Sequence, residues 1–292
     1  MDLLAPFQAD FMQRAFVVAI VVGAVCSAMG TYVVLRKLSF IGDGLAHASF
    51  AGIAIAYLRD ANFYAGAAIA TIVTALGIGF VHRRARVSLD TAIGVLFTAA
   101  FALGVFLMSR SPRATVDLQS FLFGSILGVS PSDVITVVAL GAAVALVVAA
   151  LWRPLLYTSF DAVVAQATGI RVGAVDYALL VILAVTIVVS LQAVGIVLVA
   201  ALLVTPAAAA AQLTKRFIPM MATSCGFGVF STVGGLYASY ELHASSGATI
   251  VLLATLVFFA ALAWSTLARV ARRRGAAEPN PLSEARPPRP SL

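Results

Sequence analysis

The sequence predicts an all-α protein: a polytopic transmembrane bundle of eight or nine spanning helices, N-terminus outside and C-terminus inside. Three observations carry that expectation. Of 292 residues, 62% are hydrophobic and only 11% charged, and mean hydropathy is +1.04. A soluble domain carries roughly 25% charged residues, so these charges are too few to cover a water-facing surface. Apolar runs recur near the ~20 residues that a spanning helix needs. In lipid every backbone N–H and C=O must be satisfied within its own segment, which selects helices. The strict alternation over ~10 residues that marks a membrane barrel is missing. Finally, Lys and Arg gather in alternate loops. The chain is expected to be a multi-pass protein of the cell membrane, with lipid as its solvent.

The apolar runs fall at 14–35, 43–58, 62–81, 89–109, 132–151, 176–198, 199–214, 217–239 and 247–269. The first is preceded by Asp2 and Asp10 and ends in Leu35-Arg36-Lys37. It lacks a basic n-region and a small-residue cleavage site, so it is expected to be a retained helix. "FLFGSILGVS" (121–130) is too short to cross and reads as a re-entrant or interfacial turn. The boundary near 198 is marked only by Thr205-Pro206. Proline is tolerated inside a membrane helix, which leaves eight and nine spans both open.

With the N-terminus outside, the inner loops and tail hold 15 of the 19 Lys and Arg residues. Only Arg14, Arg59, Arg110 and Arg113 stay outside. That asymmetry sets the orientation, and it also accounts for the formal net charge of +7. No nucleic-acid partner is expected. Residues 1–270 form the membrane domain. The polar, Pro-rich stretch 271–292 reads as a disordered cytoplasmic tail.

One inner segment, about 153–175, is long enough to be more than a turn. Its core "SFDAVVAQATGI" (159–170) reads as a short helix, with Ser159 or Asp161 capping its start and Gly169 ending it. Such a helix can dock a partner through Ser159, Phe160, Asp161, Val164, Ala165, Gly169 and Ile170. The alternative is an ordinary linker.

Chemistry concentrates in "RKLSFIGDGLAHASFAGIAIAYL" (36–58). Ionisable groups inside a membrane are costly and face a cavity or a partner. Asp43 and His47, at i and i+4, share one helix face. A carboxylate and a neutral imidazole suit first-row divalent metals such as Mn²⁺, Fe²⁺ and Zn²⁺. The competing explanation makes Asp43 a helix cap and His47 a core histidine. Glu241 and His243, at i and i+2, form a weaker pair suited to an extended or turn segment. Gln192 can line a path or bond a neighbouring helix. Cys26 and Cys225 stand alone, with no CxxC between them. Neither Lys37 nor Lys215 follows a glycine, so there is no phosphate loop and the chain is not itself an ATPase. No catalytic motif and no permanently bound cofactor is expected.

These residues resemble a known family. "VLRKLSFIGDGLAHASFAGIAIAYL" is similar to the signature of the membrane permease subunits of ABC importers for manganese, zinc and iron. In the same order, "SLDTAIGVLFTAAFALGVFLMS" (88–109), "LFGSILGVS" (122–130), "SLQAVGIVLVAALLVTPAAAAAQL" (190–213) and "LYASYELHASSGATIVLL" (236–253) resemble later segments of that family. The resemblance implies a dimer of permease copies, each engaging a separate ATP-binding subunit through a coupling helix, here 159–170. It implies an extracytoplasmic metal-binding protein that delivers the ion, and a metal path that involves Asp43 and His47. The metal is then the transported substrate. One departure stands out: relatives often carry an acidic residue soon after the Phe-Asp pair, whereas Asp161 is followed by Ala162, Val163 and Val164. Docking here is expected to rest more on apolar contact.

Two rival functions remain at this level. A permease for a metal chelate or siderophore-like substrate would not need the Asp–His pair. An ion-coupled secondary transporter would commonly show an internal repeat, and 36–58 has no later counterpart.

Overall fold

The computed structural model describes residues 10–110 and 126–276. Within them run α1 (Asp10–Leu35), α2 (Ile41–Leu58), α3 (Phe63–Ala85), α4 (Leu89–Ser109), α5 (Pro131–Ala150), α6 (Trp152–Phe160), α7 (Ala162–Ala167), α8 (Val172–Val194), α9 (Ile196–Leu213), α10 (Phe217–Leu242) and α11 (Ser246–Ala276). All but the short α6 and α7 are long and apolar enough to cross a membrane, so the described residues hold nine candidate spans. Residues 121–125 of the expected interfacial turn lie outside the described residues, and Ile126–Gly128 form a single 3₁₀ turn. The last helix continues to Ala276, and 277–292 lie outside the described residues.

Polar residues at the mouths of the apolar runs start several helices. The Asn62 side chain accepts from the Tyr64 and Ala65 amides to cap α3, and Ser88 caps α4 through the Thr91 amide. At α5, Ser130 and Asp133 form a reciprocal capping box around Pro131, whose missing N–H costs nothing in the first turn.

In the bundle, α1 packs on α5, α9 and α10, while α2 packs on α3 and α4. Helix α8 lies against α3 and α5 and reaches both α1 and α2; α9 also touches α2. Where α2 crosses α3, Gly52 and Gly66 face each other so closely that a Cβ on either would strike the other's carbonyl. Without a hydrophobic drive between helices in lipid, such close backbone approach supplies the packing.

The break between the sixth and seventh spans lies at Gly195, not near 198, and Pro206 sits buried inside α9. Side-chain contacts fix the directions. Arg36 pairs with Asp176 at the start of α8, and Cys26 Sγ lies 3.2 Å from Ser190 Oγ, so α8 runs antiparallel to α1. The backbone at Gly30 abuts Leu203, and the Tyr32 ring lies 5.2 Å from that of Phe217, which heads α10 four residues past the end of α9, so α9 runs parallel to α1. The chain therefore reverses at one residue. Gly195 has φ 83° and ψ 166°, a region essentially reserved for glycine. The flanking Val194 and Ile196 are buried. This turn makes nine candidate spans, not eight, among the described residues.

The expected docking helix is two helices. Asp161 caps α7, its Oδ1 accepting from the Val163 and Val164 amides at 2.9 and 3.0 Å. Ser159 is not a cap: it lies in the last turn of α6 and donates to the Leu155 carbonyl at 2.6 Å.

A candidate metal site at mid-membrane

The turn into α2 brings the Asp–His pair into the bundle. At the end of α1, Lys37 adopts φ 57°, with Leu38 N–H bonded to the Val33 carbonyl and Lys37 N–H to Val34. This left-handed closure of a helix end returns the chain within a few residues. Phe40 occupies the N-cap of α2 without a side-chain cap bond, and Asp43 stands in the first turn. The Asp43 carboxylate is thus not a helix cap.

Depth follows from neighbours. Leu203 abuts both Gly30 and Gly42, so Gly42 is level with Gly30. Gly30 lies about 9 Å of helix rise inside Arg36, and His47 lies about 7 Å beyond Gly42. The pair therefore sits roughly 10–16 Å from the level of Arg36, close to the middle of a ~30 Å hydrocarbon core. Helix α4 gives the same depth: the His47 ring lies 6.3 Å from Phe97 and 5.5 Å from Phe101, two to three turns into that helix. The loop before α2 dips inward and so carries the start of that helix to a central depth.

The flanking glycines set the direction of Asp43. Gly42 rests against Ala200 and Leu203 of α9, and Gly44 against Ile93 and Phe97 of α4. Asp43 emerges in the gap between those two helices, its side chain 51% exposed against 25% for His47. His47 Nδ1 lies 2.9 Å from the Asp43 carbonyl oxygen and 3.3 Å from Asp43 Oδ1. A carbonyl oxygen only accepts, so Nδ1 carries the proton. The neutral ring then presents a lone pair at Nε2. This is how metal-ligating histidines are commonly oriented: one nitrogen tied to a carbonyl or carboxylate, the other free. One copy thus offers a carboxylate and an imidazole nitrogen. Among the described residues no group of three or more His, Cys, Asp or Glu could hold a metal ion.

The other sequence candidates lie elsewhere. Glu241 is in the last turn of α10 and His243 is its left-handed C-cap at φ 51°, both exposed. The helix thus runs further than the extended segment expected for them. Since α10 packs on α1, α9 and α11, the fold does not bring this pair to Asp43 and His47. Gln192 belongs to α8, but its side chain lies outside the described residues.

Among the docking candidates, Phe160, Asp161, Val164 and Gly169 are exposed and Ile170 is half-buried. Ala165 is buried and backs α7 instead of facing a partner. Ser159 faces inward, accepting from Arg36 Nε at 3.0 Å. Val163, which was not among the docking candidates, is 78% exposed against 56% for Val164.

Also missed was a clamp beneath the site. Arg36 Nη1 meets Asp176 Oδ1 at 2.7 Å, and Arg83 Nη2 meets Asp176 Oδ2 at 2.9 Å. Arg36 further binds Thr158 and Ser159, which joins α6 to the turn that carries α2. A lone acid at the head of an apolar span was the available signal.

Comparison with known proteins agrees with this architecture. Residues 8–265 match the ABC 3 transport family. The chain is 43% identical over 256 residues to the manganese transport system membrane protein MntC of Halalkalibacterium halodurans, covering 88% of each chain. It is 35% identical over 265 residues to a protein of Haemophilus influenzae described as a probable iron transport system membrane protein, covering 91% of this chain and 97% of that one. Its fold superimposes on PsaBC from Streptococcus pneumoniae, solved in complex with Fab, with a TM-score of 0.79 and 34% identity over 89% of this chain and 94% of the other. The chain belongs to the ABC 3 transport family and is a multi-pass transport permease of the cell membrane.

Proposed function

We propose that this permease carries a divalent metal ion, Mn²⁺, Zn²⁺ or Fe²⁺, into the cytoplasm as one subunit of an ATP-driven importer. The observation that carries the reading is the Asp43–His47 pair: at mid-membrane depth, open to one side, with Nε2 bare. The names of two relatives, a manganese transport system membrane protein and a probable iron transport system membrane protein, support the same ion class. A passing cation loses part of its water shell to these donors. Two donors per copy hold it weakly enough to release it, as conduction requires. Two copies of the permease, facing each other across the open side, would double the set. The energy would come from a separate ATP-binding subunit docked on α6 and α7, and an extracytoplasmic metal-binding protein would deliver the ion.

The test is uptake of radiolabelled metal by cells that express variants at matched membrane levels. Asp43→Asn keeps size and removes charge, and His47→Leu keeps volume and removes the nitrogens. Each is expected to lower uptake about 10- to 100-fold, the scale on which changes around a metal's ligands act. Since Asp43 caps nothing, Asn has no structural ground for a defect. Wild-type uptake by Asp43→Asn at normal abundance would refute the ligand role.

A further inference from the structure

Building on the docking of an ATP-binding subunit proposed above, the chemistry of that subunit's face can be read from what lies beside α7. Phe160, Val163 and Val164 are 61%, 78% and 56% exposed, an apolar ridge outside the spanning helices. Bare apolar surface of this kind marks a contact with a protein or a membrane. Next to the ridge opens a cleft of about 480 Å³ between the end of α3 and the α7–α8 turn. Arg83, Gln166, Gly169, Arg171 and Gly173 form its walls.

The only charged groups among the cleft-lining residues are two guanidiniums. The neighbouring carboxylates are engaged: Asp176 by Arg36 and Arg83, and Asp161 by the amides of α7. Arg83 lies over the Tyr177 ring at 5.6 Å and is held at one side of the cleft. Arg171 is exposed and makes no side-chain cap bond at the head of α8. The positive end of that 23-residue helix adds to the same field. At Gly169, with φ 85°, a Cβ would meet nothing, so the mouth is open.

We infer that the ATP-binding subunit presents an apolar hollow with an acidic rim, whose carboxylate enters the Arg83–Arg171 cleft while Phe160, Val163 and Val164 fill the hollow. A guanidinium binds a carboxylate in a paired, directional way. The site is thus the charge inverse of a docking helix that carries its own acidic residue, and Ala162-Val163-Val164 stand where that acid is missing. A lipid phosphate could meet the same two arginines, but it would leave the apolar ridge bare. A protein surface covers both.

The test uses the full chain in lipid nanodiscs and its cognate ATP-binding subunit, with binding measured at low and at high salt. Arg171→Glu is expected to weaken binding at least about tenfold at low salt. The gap should narrow at high salt, because exposed charges are screened. Arg171→Lys keeps most of the affinity. Val163→Ser, which removes apolar area only, weakens binding alike at both salts. Normal elution and melting of each variant show that the fold is intact. If the wild-type chain forms no complex, the docking reading and this inference fall together. If Val163→Ser weakens a complex that Arg171→Glu leaves at wild-type affinity in low salt, the docking reading stands and the acidic rim is refuted. The same refutation follows if Arg171→Glu spares the complex and instead strips co-purified anionic lipid, since the cleft then belongs to a headgroup.

Discussion

A carboxylate survives at mid-membrane only where water or a partner meets it. For Asp43 the surroundings say which side that is. Glycine on each flank lets α4 and α9 close against α2, and the carboxylate occupies the slot between them. The residue types were legible in the sequence, because an ionised group is conspicuous in an apolar run. Their depth was not, since it depends on a left-handed Lys37 that no propensity announces. Gly195 was hidden for a similar reason: it lay within an unbroken apolar run, while the neighbouring Thr205-Pro206 drew attention to itself. Its conformation, φ 83° and ψ 166°, is closed to a residue with a Cβ. Gly195→Ala is therefore expected to destabilise the fold by roughly 1–3 kcal/mol. Thermal unfolding in detergent measures it, and an unchanged transition would mean that the reversal tolerates a side chain.

Among the helices, the long spans followed directly from apolar length, and all nine expected runs overlap an observed helix. The basic end was harder to read. There a single 159–170 helix was expected, and a break at Asp161 makes two. The local logic still held, since Asp161 is the cap that the sequence offered, but Ser159 was drawn away by Arg36, a partner 123 residues distant in the chain. Long-range pairing of this kind has no periodic signature. Because α7 has only six residues, its start depends heavily on the cap. Asp161→Ala is expected to cost about 1 kcal/mol locally. That corresponds to roughly fivefold faster amide exchange at Val163 and Val164. Exchange there at the wild-type rate would show that docking contacts or the membrane surface, not the cap, hold α7.

For the whole molecule, the proposed ion path implies that the bundle supplies half a site. A bound first-row cation takes at least about four ligands, whereas one copy presents Asp43 and His47, and no larger donor cluster occurs among the described residues. The open side lies between α4 and α9, so a second copy related by a twofold axis can bring its own pair to the same gap. Closed twofold symmetry is the commonest way to complete such a surface. In the sequence only the family resemblance, which implies a dimer, pointed to this incompleteness, because a missing ligand leaves no residue to notice. It has a measurable consequence. If both carboxylates serve one ion, a dimer with one Asp43→Asn copy loses function like a dimer with two. Co-expression of wild-type and Asp43→Asn chains in equal amounts, with total membrane level held at that of wild type alone, is then expected to lower uptake well below half, because mixed dimers contribute little. If each copy conducts by itself, uptake stays at half, and the shared site is ruled out even though Asp43 remains a ligand.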